Sequence, residues 1–112
     1  MKPYAVRQTL RTPVQCTLSY SSEAIWTNGR VWDLSQTGWR ATGDRPMSVG
    51  HETIVFLSLC SGEKLCHILI ESAIVRWSDG LHAGWEITRI DAATQSRLAE
   101  VVEQCDQNRI TL

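Results

Sequence analysis

Between Val14 and Tyr20 every second side chain is apolar, with Val14, Cys16, Leu18 and Tyr20 alternating with Gln15, Thr17 and Ser19. A period of two buries one face of an extended strand and wets the other; a helix cannot bury that pattern. Turn signals then recur at Ser21-Ser22-Glu23, Asn28-Gly29, Gly43-Asp44-Arg45-Pro46, Ser61-Gly62-Glu63 and Ser78-Asp79-Gly80. They delimit further extended segments over 24–27, 30–34, 39–42, 53–59, 65–77 and 81–90. Asn28-Gly29 predicts a tight hairpin, with Arg30 to Leu34 as its return strand. The stretch from Leu65 to Trp77 is too long and too β-branched for a plain short strand, which predicts a bend or bulge near Glu71-Ser72.

One segment has the other period. Asp91 is suited to N-cap a helix running from Ala92 to about Cys105, in which Leu98, Val101, Val102 and Cys105 form one apolar stripe. The tail from Asp106 to Leu112 is expected to fray. Five or six strands that need partners at both edges, followed by one helix, predict a mainly β fold. Its plan is a small antiparallel barrel of about six strands with a C-terminal α-helix. A chain of 112 residues suffices for one such domain. Residues 1–112 are read as that domain: an arm over 1–12, a barrel over 13–90 and the helix over 91–106. The arm has no periodicity, and Pro3 and Pro13 discourage helix there, so it is expected to be flexible.

Charge narrows the function. A net charge of −1 supplies no global basic field, so neither nucleic acid nor a membrane surface is an expected partner. Lys2 and Lys64 are the only lysines, so an anion site would be local and built from arginine. No apolar run reaches transmembrane length and Met1-Lys2-Pro3-Tyr4 opens no signal peptide, which predicts a cytoplasmic protein. Cys16, Cys60, Cys66 and Cys105 are irregularly spaced in apolar patterns and read as reduced thiols. No Cys-x₂-Cys pair accompanies Cys60, Cys66 and His67, so no metal is expected. Cys66 and His67 are adjacent on a strand and face opposite ways, and Ser35 lies outside any G-x-S-x-G. Catalysis and a cofactor are therefore not expected.

Two stretches carry recognition chemistry. Asp33-Leu34-Ser35-Gln36-Thr37-Gly38 places a carboxylate and a hydroxyl two residues apart. On an extended segment both project from one face, where they suit a base edge or sugar hydroxyl. Gly38 suits a turn or a close approach to a ligand. The same residue types also make an ordinary turn for local reasons. Upstream, Arg7 and Arg11 stand i, i+4 apart; guanidinium groups chelate phosphate or guanine and stack on purines, although paired arginines in a polar arm can also be merely solvated. Trp32 and Trp39 flank the first stretch and Trp77 ends a strand. Of the five tryptophans, Trp77 is the candidate for an accessory wall of the pocket.

R-x-x-x-R at Arg7–Arg11, then D-x-S-x-x-G at Asp33–Gly38, with strand-like sequence between, resembles the PilZ family. The resemblance runs from about Arg7 to Asp91. It implies a β-barrel receptor for cyclic di-GMP, with Arg7 and Arg11 gripping the ligand, Asp33 and Ser35 contacting a guanine, and Gly38 admitting it. It also implies a protein partner in motility, biofilm or polysaccharide machinery, signalled when the arm orders over the ligand. Members of the family differ in taking one ligand or an intercalated pair. Val6 stands where a further cation would serve a second ligand, so one per protomer is expected. The alternatives are a PilZ-type interaction domain independent of nucleotide and, from another class, a small β-barrel enzyme or nucleic-acid binder.

Overall fold

The structure is a computed structural model that describes residues 15–61 and 64–110. Among these, six strands form a closed antiparallel barrel: β1 (Gln15–Ser22), β2 (Ile25–Leu34), β3 (Gly38–Gly43), β4 (Glu52–Ser61), β5 (Lys64–Asp79) and β6 (His82–Arg89). They run around the wall in the order β1-β2-β3-β6-β5-β4, and β4 closes against β1. Closure leaves no edge strand to be covered. One helix comes after them, α1 (Ala92–Ile110). This is the mainly β barrel with a terminal helix that the alternation and turn spacing imply. The arm with Arg7 and Arg11, and the turn expected at Gly62-Glu63, lie outside the described residues.

The alternating strand is β1, and Cys16, Leu18 and Tyr20 do point inward. They meet Val55, Leu57 and Leu59 from β4, Ile68, Ile70 and Val75 from β5, and Trp39 and Trp85 from β3 and β6. Each fully buried aliphatic side chain of this kind contributes about 1.5–3 kcal/mol. Three rings meet inside the barrel: Trp39 stacks on Trp85 at 5.9 Å, and Tyr20 meets Trp85 edge-on at 5.2 Å. The Trp85 indole N–H donates to Met47 Sδ at 3.2 Å, so the loop after β3 covers this stack. Burial pushes the Tyr20 phenol up from its ordinary value.

The turn expected at Ser21-Ser22-Glu23 joins β1 to β2, shifted by one residue, and the second hairpin expected at Asn28-Gly29 is absent because β2 runs through it. Ser22 pairs with Ile25, so the turn is Glu23-Ala24, with φ of 51° and 66°. Two successive left-handed residues match the twist of a two-residue hairpin. Asn28 and Gly29 lie inside β2, and a Cβ on Gly29 would fall 2.8 Å from the Thr42 carbonyl and 3.1 Å from Leu18 Cδ2. This glycine is needed for strand packing, and pairing of Tyr20 with Thr27 overrides the local turn preference. In β5 the expected irregularity is present: the β4–β5 register shifts between Thr53 and Val55, opposite Glu71-Ser72.

Asp91 caps α1, accepting from the Thr94 backbone N–H at 2.7 Å, which holds its carboxyl below the usual aspartate value. Leu98 is fully buried, with Val101 and Val102 packed beside it. Arg97 Nη2 donates to the His67 carbonyl at 2.8 Å and fastens the helix to β5. The helix continues to Ile110, past the end at about Cys105 that the apolar stripe suggests.

Candidate ligand-binding site

Strict alternation along β2 would give Asp33 the same direction as Val31, which is buried. A bulge prevents this. Val31 pairs with Ala41 and Asp33 with Arg40, so Trp32 and Asp33 together oppose one residue of β3. The extra residue shifts the alternation by one, so each later side chain in the strand changes face. Trp32 and Asp33 both turn to the outer face, and Leu34 returns to the core. There Arg40 Nε donates to Asp33 Oδ2 at 2.5 Å, and the Asp33 side chain keeps only 15% of its exposure. The Trp32 indole N–H donates to Thr42 Oγ1.

Ser35 is beyond the strand, in the turn to β3, so it reaches the site by turn geometry and not as the i+2 neighbour on an extended face. Its backbone N–H donates to the Gly38 carbonyl at 2.9 Å, and its Oγ accepts from the N–H groups of Thr37 and Gly38 at 3.2 Å each. Much of the hydroxyl's capacity is thus spent on the turn. Gly38 has a packing reason of its own, because a Cβ there would lie 2.1 Å from the Trp85 carbonyl oxygen.

A second bulge faces the first across the β3–β6 pair. Val75 pairs with Trp85 and Trp77 with Gly84, so Arg76 and Trp77 together oppose one residue of β6. Both point outward, and Arg76 Nε donates to Glu86 Oε1 at 2.5 Å. Asp33, Arg40, Gly84 and Trp77 therefore form one row across four strands. Above that row is an open cleft of about 430 Å³, lined also by Ser35 and Gly38.

Of the residues expected at a site, Asp33, Ser35, Gly38 and Trp77 are brought to this one cleft, while Arg7 and Arg11 lie outside the described residues. Sequence reasoning missed Arg76, Glu86 and Gly84. Val75-Arg76-Trp77 gives no local signal, because period-two counting places Trp77 in the core beside Val75 without conflict.

The cleft balances its own charge: Arg40 is held by Asp33 and Arg76 by Glu86. A dianionic ligand would need further cations. Thr17 pairs with Arg30, and continuing that register brings Gln15 level with Trp32, beside the first bulge. Gln15, the first described residue of β1, is thus beside the strand that carries Asp33. Arg11 is near enough in sequence to span about 13 Å from that point.

The chain has the fold of the PilZ domain. It superposes on the PilZ domain of YcgR from Escherichia coli, a structure with c-di-GMP, at a TM-score of 0.62 and 10% identity, over 86% of this chain and 84% of that one. The PilZ domain of CeSA from a cellulose-synthesizing bacterium aligns at a TM-score of 0.58 and 14% identity, over 82% and 93%. No protein-family model matches the sequence, and no curated protein matches it significantly. At these identities the likeness concerns the fold, and the site rests on its residues.

Proposed function

We propose that this chain is a receptor for cyclic di-GMP that works by binding, without catalysis. The observation that carries the reading is the first bulge, which turns Asp33 out of the barrel into a cleft beside an exposed tryptophan. In sequence, R-x-x-x-R lies just upstream of β1, the strand next to the one that carries Asp33. Asp33 supplies acceptor oxygens for guanine N1–H and N2–H₂, a pairing worth about 1–3 kcal/mol of discrimination. Arg7 and Arg11 supply charge for two phosphates and planes for stacking. The PilZ domain of YcgR, of the same fold, is known with c-di-GMP, which supports this ligand over other anions.

In this reading residues 1–112 act as one domain in the cytoplasm, and the arm orders over one ligand per protomer. The altered surface then passes the signal to a protein partner in motility, biofilm or polysaccharide production. Among the described residues no helix is long and apolar enough to cross a membrane. Calorimetric titration with cyclic di-GMP, with GTP as control, tests the reading. Saturable binding that Arg7→Ala or Arg11→Ala abolishes without unfolding supports it, and heats no different from GTP refute it. One observation favours the second reading, an interaction domain independent of nucleotide: Asp33 and Ser35 are already engaged by Arg40 and by the turn. Partner binding retained in a variant that no longer binds nucleotide would identify that case.

A further inference from the structure

Gly84 lies in β6, buried, directly opposite Trp77. A Cβ placed on it would sit 2.0 Å from Trp77 Nε1, 2.5 Å from Cε2 and 2.7 Å from Cδ1. These three atoms belong to the five-membered half of the indole, so that ring lies against the Gly84 Cα. The three nearest neighbours all come from Trp77, so its ring occupies the space a side chain would take. Trp77 nevertheless stays 43% exposed and is not part of the core. The indole thus rests against the barrel wall at Gly84 and lines the cleft.

Two features are needed to place a ring this way. The bulge at Arg76 turns Trp77 outward, since alternation would send it inward after Val75. The missing Cβ at Gly84 then lets the ring lie down on β6, where any larger residue would prop it up. An aromatic plane fixed before the ligand arrives stacks on a base without paying to order its own side chain.

We propose that Gly84 is a positioning residue of the cleft: it seats the Trp77 indole flat on β6 and so presents its outer face as a stacking platform for a guanine. The proposal rests on the reading of the cleft as a cyclic di-GMP site, and names a determinant of affinity outside both sequence motifs.

The test is a double-mutant cycle by calorimetry with cyclic di-GMP on the wild type, Gly84→Ala, Trp77→Ala and the combined variant. Melting curves monitor the fold. Each single change is expected to weaken binding about ten-fold, the size of one base–aromatic stack. The combined variant should bind no worse than Trp77→Ala, because with the ring gone the new methyl displaces nothing. Trp77→Phe, which keeps a ring, should retain most of the affinity whether or not Gly84→Ala folds. Wild-type affinity in Gly84→Ala overturns the proposal, as does a further ten-fold loss on adding it to Trp77→Ala, or Trp77→Phe binding as poorly as Trp77→Ala. A wild type that binds no cyclic di-GMP removes the functional reading and this proposal together. Binding by the wild type that Gly84→Ala leaves intact removes only the proposal.

Discussion

Replacing Gly38 by alanine separates two explanations of the glycine that closes D-x-S-x-x-G. If it serves only to admit a ligand, the free protein should tolerate a methyl group. The structure argues otherwise. The added Cβ would stand 2.1 Å from the Trp85 carbonyl oxygen, 3.1 Å from its carbon and 3.2 Å from the Glu86 Cα. All three are backbone atoms of β6, so no side chain can swing aside. Relief requires β3 to move away from β6 by roughly 1 Å, and forced overpacking typically costs about 1–3 kcal/mol. The site lies in the β3–β6 ladder, where Gly38 pairs with Glu86, so the upper end of that range applies. At roughly 4 °C per kcal/mol for a domain near this size, Gly38→Ala should melt about 12 °C below the wild type.

The comparison variant is Gly43→Ala, whose Cβ would first meet Met47 Cε at 2.6 Å, the far end of a flexible side chain. It should lose markedly less. Differential scanning fluorimetry on the three proteins, with urea unfolding as a check, gives the ranking. A Gly38→Ala protein that melts within about 2 °C of wild type would refute the packing argument. If it also failed to bind cyclic di-GMP, the glycine would belong to the ligand alone.

Three further outcomes are expected. Asp91→Asn should flatten the acid limb of stability: the carboxyl titrates below its ordinary 3.8 in the folded chain, so its contribution is in place above about pH 4 and is lost as pH falls through the folded value. Thermal melts of both proteins between pH 7 and 2 measure this, and parallel curves would count against the cap. Ala24→Gly should raise stability by about 1 kcal/mol, since a left-handed φ of 66° strains alanine and not glycine; an unchanged urea midpoint would mean the hairpin carries no strain there. Asp33→Asn puts donors opposite guanine's own donors, so affinity for cyclic di-GMP should fall about ten-fold and preference over cyclic di-AMP should narrow, with unchanged preference making Asp33 structural.

The barrel is legible in the sequence because its signals are local and redundant. Cys16, Leu18 and Tyr20 alternate, Gly80 closes the β5–β6 hairpin at a φ of 63°, and Asp91 caps the helix. The first hairpin is legible to within a residue at Ser21-Ser22-Glu23, but Asn28-Gly29, a strong local turn former, lies inside β2 and makes no hairpin there. Only long-range register distinguishes them. The helix end is hidden for a simpler reason: its last residues carry no apolar stripe to read.

The site is half legible, and the missing half has one physical cause. Period-two reasoning assigns faces by counting, and a bulge is a residue that should not be counted. Val31-Trp32-Asp33 and Val75-Arg76-Trp77 each begin on a core valine, and by counting each would bury its third residue. An inward aspartate would be an uncompensated charge in an apolar core. That contradiction is visible in the letters, and the bulge is its resolution. The second case carries no such warning, since a buried Trp77 raises no objection on polarity. What turns it out is the register opposite Gly84, a relation between strands that no local pattern carries. These two breaks in alternation therefore coincide with the two walls of the cleft. The small residues between them, Gly38 and Gly84, are where the backbone and the indole come closest. The cleft of this barrel is built where its strand pattern breaks, and its shape depends on the β3–β6 ladder as much as on the charged side chains above it.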